Sequence, residues 1–323
     1  MPHLGGAKRV YYSTTGNLAT LNFDALMQHN NKRLGNVTEL TLLSSPLKIK
    51  SATNVTPIKN VVAMGCPDYD MTPQQMAKAT FPHHVIQHED ISSKLAMRGD
   101  DTRGNWHAIP ATRNEVANIA AIVRAHGAKV CTFTDVQATE EAFKALDGHA
   151  PDALHIATHG FAISTIQQYD NSPFAQSRTA FTPNGNYMMW SGLVLAGGNN
   201  AWQCKPLPKG VEDGILTADE ISRLDLSHTR LVVLSACETA RGHIDNTDGV
   251  WGLQRAFKQA GAGTIVMTLW KVSDETTCMF MTEFYRQLAN GLNTRQALKR
   301  ARTYLIEQGA TDPYYWAAFV AMD

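Results

Sequence analysis

Two side chains able to carry out acyl-transfer chemistry stand at matching points of the sequence. Ala153-Leu154-His155-Ile156-Ala157-Thr158 runs into His159-Gly160, and Leu231-Val232-Val233-Leu234-Ser235 runs into Ala236-Cys237. In each, an apolar stretch with strand character delivers a reactive group at its C-terminal end. The carboxyl edge of a parallel sheet is where α/β proteins place their sites. A thiol beside an imidazole is readily ionised, and the thiolate is the attacking species. The imidazole can then protonate the leaving amine. Gly160 lets a substrate carbonyl approach the backbone, and its N–H with that of Cys237 makes a candidate oxyanion hole. Such donors are each worth roughly 2.7–4 kcal/mol of transition-state stabilisation. No carboxylate is placed by sequence to orient His159, so the reading is a dyad, with a backbone carbonyl as candidate third partner. Taken singly, a Cys at a strand end is ordinarily a buried small hydrophobe, and a lone His a satisfied core residue. The pairing carries the reading.

Positioning such a pair requires a sheet. Short apolar runs rich in β-branched residues predict strands at Arg9–Tyr12, Leu40–Leu43, Val61–Met64, Lys129–Phe133, Ala153–Ala157, Leu231–Leu234 and Thr264–Leu269. Between the later ones lie helical patterns. Asn114–His126 puts Val116, Ile119, Ala120 and Val123 on one face, with Gly127 where a C-cap belongs. Thr139–Leu146 opens with Thr139 as N-cap, and Gly249–Gly261, Glu275–Asn290 and Thr294–Gln308 are further amphipathic stretches. This alternation predicts an α/β fold, a mostly parallel central sheet of about six strands flanked by helices on both faces. Two polar regions interrupt it, Gln75–Arg113 and Phe161–Gly214, and both read as loop. The chain is taken as one unit, 1–323, with a smaller N-terminal portion (1–105) and a catalytic portion (106–323).

Composition narrows the function. The 323 residues are 44% hydrophobic, and 29 Lys and Arg balance 29 Asp and Glu. A chain of zero net charge has no global field drawing it to nucleic acid or to an anionic membrane. No apolar run approaches the roughly 20 residues needed to span a bilayer, and the start MPHLGGAKRVYY lacks the apolar core of a secretory signal. The five cysteines, Cys66, Cys131, Cys204, Cys237 and Cys278, are scattered and never spaced C-x-x-C. That spacing argues against a disulfide framework or structural zinc. The expectation is a reduced, cytoplasmic protein without metal or organic cofactor.

Other residues have plainer readings. Trp251, Leu253, Phe257, Trp270, Trp316 and Phe319 read as core, although Trp270 at a strand end could line a substrate pocket. Asp245 and Asp248 read as a solvated loop. The sharper alternative is that one of them, or Asp213, lines the pocket for the residue before the scissile bond and favours Arg or Lys there. His83, His84 and His88 lack metal-ligand spacing.

The blocks LHIATHG (154–160) and LVVLSACETARG (231–242) resemble the His-Gly and Ala-Cys motifs of the CHAT family. These are caspase-like domains often linked to tetratricopeptide repeats. DGILTADEISRLDL (213–226), GVWGLQRAFKQAGAGTIVMTLWKVSDETT (249–277) and DPYYWAAFVAMD (312–323) follow in the family's order. Upstream, GNLATLNFDAL (16–26), VVAMGCPDYD (61–70) and IPATRNEVANIAAI (109–122) are similar as well. The resemblance implies a caspase-like fold and a cysteine endopeptidase with His159 and Cys237 as its pair. It implies a protein or peptide substrate and control by a regulatory partner or an upstream repeat region, in the manner of bacterial defence and cell-death proteases. The family-like sequence begins near residue 8, so the expectation is an excised domain, a short form, or control by a separate chain. The Phe161–Gly214 stretch is the least family-typical and is expected to move or be cut during activation, with Arg178, Lys205 and Lys209 as cleavage points if basic residues are preferred. The rivals are an interaction module that has lost catalysis and another acyl hydrolase using the same dyad.

Overall fold

A computed structural model describes residues 6–14, 16–28, 32–45, 57–80, 105–162, 187–203, 205–235, 243–245 and 249–323. In chain order the strands are β1 Arg9–Tyr12, β2 Glu39–Leu42, β3 Asn60–Pro67, β4 Lys129–Asp135, β5 Ala153–Ala157, β6 His159–Ala162, β7 Ser191–Val194, β8 Ile215–Thr217, β9 Leu231–Leu234, β10 His243–Asp245, β11 Gly249–Trp251, β12 Thr264–Thr268 and β13 Phe319–Met322. The helices are α1 Leu34–Val37, α2 Pro73–Thr80, α3 Pro110–Ala125, α4 Glu140–Lys144, α5 Gly198–Trp202, α6 Ala218–Ser222, α7 Leu253–Gln259, α8 Asp274–Ala289, α9 Thr294–Glu307 and α10 Pro313–Trp316.

Eight strands form the central sheet in the order β1-β2-β13-β12-β9-β5-β3-β4. Every pairing is parallel except β12 with β13. The apolar runs lack in–out alternation because both faces are covered. On one side Leu154, Ile156, Val232 and Leu234 pack under Phe143 of α4, Ile221 of α6 and Phe257 of α7. On the other, Ala153, Leu231, Val233 and Val266 pack under Ile119 of α3, Phe280 and Phe284 of α8 and Leu298 of α9. Truncating a buried Leu or Phe of this kind costs about 2–5 kcal/mol.

The observed sheet is wider than the expected six strands because β13, in the Trp- and Tyr-rich C-terminal block, closes back antiparallel on β12 and bridges to β2. The two stretches read as loop contain regular structure. Helix α2 begins just before the first and runs into it, with Thr72 and Gln75 exchanging hydrogen bonds in a capping box. Pro110 in turn opens α3. The second supplies the end of β6, all of β7 and the lead into β8, which together form a separate three-stranded antiparallel sheet. Its Gly and Asn content serves packing rather than solvation. A Cβ on Gly192 would meet the Leu216 carbonyl and the Phe161 ring, and buried Asn200 donates to the carbonyls of Met71 and Gly197. The segment Gly249–Gly261, read as one helix, begins instead with β11, paired to β10.

Strands β3, β4, β5, β9 and β12 fix the site. From β3 the chain steps outward to β4, then returns to the other side of β3 as β5 and continues through β9 to β12. The order reverses between β3 and β5, and α/β proteins open a crevice outside the carboxyl ends of strands at such a switch point.

Candidate active site

His159 stands at that crevice. It follows β5 by one residue, Thr158, and starts β6, so the chain leaves the large sheet for the small one at the imidazole. Thr158 holds the turn from both sides. Its hydroxyl donates to the Val194 carbonyl of β7 and lies 2.9 Å from the hydroxyl of Tyr69, just past β3. The His159 N–H in turn donates to the Tyr69 oxygen at 3.4 Å. Burial raises the Tyr69 phenol well above its usual range, so it stays neutral.

The ring is held as firmly as the backbone. It sits between Tyr69 and Trp106, with centroid distances of 5.2 and 5.0 Å. Nε2 lies 2.8 Å from the carbonyl of His107. A carbonyl only accepts, so Nε2 carries the proton and Nδ1 keeps the lone pair. The orienting group is thus the backbone carbonyl that the sequence left open as third partner. Burial lowers the His159 pKa below its ordinary value. The His107 carbonyl and the charge of Asp274 oppose the shift without reversing it. At neutral pH the imidazole is uncharged, the form that takes up a proton.

The carbonyl is itself positioned. Asn199 of α5 accepts the Trp106 N–H at 2.9 Å, and its amide donates to the Trp106 carbonyl and to Asp70. Trp106 also packs edge-on against Trp202. Sequence reading passed over Asn199 because GGNNAW lies in the stretch taken for loop. Two Asn after two Gly, next to a Trp, was the available signal.

Cys237 lies outside the described residues, as do Ala236, Asp248, Arg178 and the histidines 83, 84 and 88. Its strand is described. β9 runs beside β5 in parallel, with His155 opposite Val233 and Ile156 opposite Leu234. Ser235, two residues before Cys237, donates its N–H to the Ile156 carbonyl at 2.8 Å. Gly160 pairs with Leu193 in β6–β7. Below the strand ends is a cavity of about 20 Å³ reached by Thr158, Ser235 and Glu115, room for one water.

The remaining residues singled out in the sequence fall elsewhere. Trp270 is half-buried and donates its indole N–H to the Tyr314 carbonyl at 2.9 Å. The backbone of Asp245 is in β10, opposite Gly249. Asp213 precedes β8, where its carboxylate accepts the Ile215 N–H at 2.8 Å. Burial pushes its pKa up to about 7, and the neighbouring charge of Glu220 adds to the rise. Beside it the Lys144 ammonium reaches Glu140 at 2.7 Å and Glu212 and Glu220 at 2.9 Å each. Lys205 and Lys209 are exposed. His155, on the same strand as His159, is fully buried. Its Nε2 lies 2.9 Å from Oε1 of Glu115, off the line of a hydrogen bond.

The family model for the CHAT domain matches residues 2–323. This chain belongs to the CHAT domain family. Among curated relatives it is 37% identical over 117 residues to mouse tetratricopeptide repeat protein 28, covering 36% of the chain and 4% of that protein. It is 30% identical over 178 residues to the human protein of the same name, covering 52% of the chain and 7% of the relative. The CHAT domain thus spans less than a tenth of the curated relatives it matches. A solved structure of the Arg-specific cysteine proteinase gingipain R overlaps 82% of the chain and 46% of its own, at 10% identity and a TM-score of 0.42. Family and architecture agree with the α/β fold expected from the sequence, a mostly parallel central sheet with helices on both faces. Among the described residues, no helix is long and apolar enough to cross a membrane.

Proposed function

We propose that this CHAT protein is a cysteine endopeptidase that uses Cys237 as nucleophile and His159 as proton carrier. One observation supports it above the others. The strand leading to Cys237 lies beside the strand leading to His159, in register, at the edge where burial favours the neutral imidazole and Nδ1 has no bond to a described residue. In this mechanism His159 receives the thiol proton and the Cys237 sulfur bonds to the scissile carbonyl carbon. The oxyanion takes hydrogen bonds from the N–H groups of Gly160 and Cys237. The amine leaves with the proton from His159, and a thioester remains. Water then gives a proton to His159 and its oxygen to the acyl carbon, and the thiolate returns as the acid product departs. Asp213, Asp245, Asp248 and Trp270 are the candidates for contacting the residue before the cut. The substrate is a protein or peptide, and the tetratricopeptide-repeat relatives favour control by a repeat region or regulatory partner in a cytoplasmic defence or cell-death pathway.

A diverse peptide library, incubated with wild type, Cys237→Ala and His159→Ala and read by mass spectrometry, tests the proposal. Cleavage by wild type should fall by at least about 10³-fold in either variant, as when one member of a catalytic pair is removed. Cleavage that survives in Cys237→Ala rejects the mechanism. If no peptide is cut, a thiol-reactive peptide probe separates a latent enzyme, labelled at Cys237, from an inert module.

A further inference from the structure

A second cavity among the described residues lies apart from His159, its lining drawn from other elements of the fold. It holds about 410 Å³ between the β1–β2 edge, α1 and helix α9, within the 300–1,000 Å³ usual for small-ligand sites. The side chains lining it include five cations, Arg9, Arg33, Arg295, Lys299 and Arg302, against two carboxylates, Asp24 and Glu39. In a chain whose charges balance, that is a local excess of positive charge.

The excess has a structural origin. Arg295, Lys299 and Arg302 recur at i, i+4 and i+7 on α9, so they share one face. The apolar set Ala297, Leu298, Ala301 and Leu305 takes the core face instead. Asp24 and Glu39 are already committed, to Arg302 at 2.6 Å and to Arg9 at 2.9 Å. Arg295 is held by the terminal Asp323. Arg33 lies over the Trp316 ring at 4.3 Å, and Lys299 donates to the Gly35 carbonyl at 3.2 Å. Neither has a carboxylate partner among the described residues. The Arg302 guanidinium also donates to the Phe319 carbonyl at 2.7 Å, and its Nε is buried without a hydrogen-bond partner among the described residues. A planar fork and a mobile ammonium around one concavity are the donors that recognise phosphate, and Leu40, Trp316 and Val320 line the same cavity with apolar surface.

We infer that this cavity binds a phosphorylated small molecule, its phosphate between Lys299, Arg33 and Arg302 and its organic body on the apolar wall. The inference does not depend on the peptidase reading. Nothing in it uses His159 or Cys237, and binding is measurable in a catalytically dead chain.

Isothermal titration of the 323-residue chain with sodium pyrophosphate, adenosine 5′-monophosphate and adenosine tests the site. Pyrophosphate and the monophosphate should each bind saturably at one site, with adenosine weaker by about tenfold or more for want of the charge-assisted bonds. Lys299→Ala and Arg33→Ala should each weaken binding by about tenfold at unchanged melting temperature, as expected for loss of one charged donor. Arg300→Glu, an exposed position on the same helix, should leave the affinity as it is. Absence of saturable pyrophosphate binding, or an affinity untouched by Lys299→Glu in a folded chain, overturns the site. Pyrophosphate binding with no binding of the monophosphate reduces it to a bare anion patch and rejects the small-molecule reading.

Discussion

Burial acts on ionisable groups in two regions of this CHAT protein, with opposite consequences. Around Lys144 it disfavours the carboxylates of Glu140, Glu212 and Asp213, raising all three pKa values. Burial also works against the ammonium, but Glu140, Glu220 and Glu212 outweigh it and keep it charged. The cluster ties the loop before β8 to α4 and α6, since Glu140 also accepts the Gly214 N–H at 2.8 Å and Glu220 caps α6. At His159 burial likewise favours the neutral form, but among the described residues no carboxylate is bonded to the ring and only Nε2 has a hydrogen-bond partner. The same physical force therefore builds a closed joint in one place and a free base in the other. The difference lies in how many donors and acceptors the surroundings already consume.

The closed joint breaks most dramatically by removing its cation. Lys144→Met leaves three buried carboxylates facing one another, and breaking a buried ion pair of this kind costs about 3–5 kcal/mol. Urea denaturation at pH 7.5 should show that loss, and it should shrink as pH falls, since burial already favours the protonated forms of Glu140, Glu212 and Asp213. In the wild type, Asp213 binds its proton more tightly folded than unfolded. Its contribution to stability is therefore present at low pH and fades as pH rises from about 4 toward 7. Asp213→Asn should flatten that part of the profile, and an unchanged slope would remove Asp213 from the cluster.

The free base is next to be tested through its support. Asn199→Ala deprives the Trp106 N–H and carbonyl of their partner, freeing the loop that presents the His107 carbonyl. Peptide cleavage should drop in kcat/KM by about 10- to 100-fold, equivalent to roughly 1.4–2.7 kcal/mol, with kcat carrying most of the change. A loss confined to stability would make Asn199 a packing residue only.

The smallest effect concerns the ring environment. An NMR titration of His159 in Cys237→Ala should give a pKa below 6.5, and Trp106→Ala should move it upward by less than about one unit as water reaches the ring. A folded-state pKa that is depressed also means that His159 lends stability which is lost as pH falls below about 6.5. A value above 6.5 in Cys237→Ala would contradict a desolvated base.

Much of the framework is legible in the residues. The seven apolar runs became strands close to their expected limits, and in β3, β5, β9 and β12 the unbroken run matches burial on both faces. Thr139 accepts the Ala142 N–H as the N-cap of α4, and Gly127 adopts the left-handed backbone after α3. Local chemistry alone suffices for such choices. The stretch Phe161–Gly214 misled because its Asn and Gly residues ordinarily mark loops, while here Asn199 and Asn200 bond the backbone of Trp106, Met71 and Gly197, and Gly192 allows close packing in a small sheet. The basic face of α9 was visible as Arg295, Lys299 and Arg302, but whether it met solvent, acids or a cavity depended on β1 and β2, far away in sequence.

The sequence by itself determined the parallel core and the two strand ends that carry an imidazole and a thiol, since these follow from hydrophobic runs and the residue closing each. Only the tertiary structure decided that β5 and β9 are neighbours, that His107 supplies a carbonyl to Nε2, and that Asn199 holds the loop behind it. Those relations join residues tens of positions apart. They rest on which strands pair and which polar groups are left to bond once the core has closed, and no local pattern encodes that.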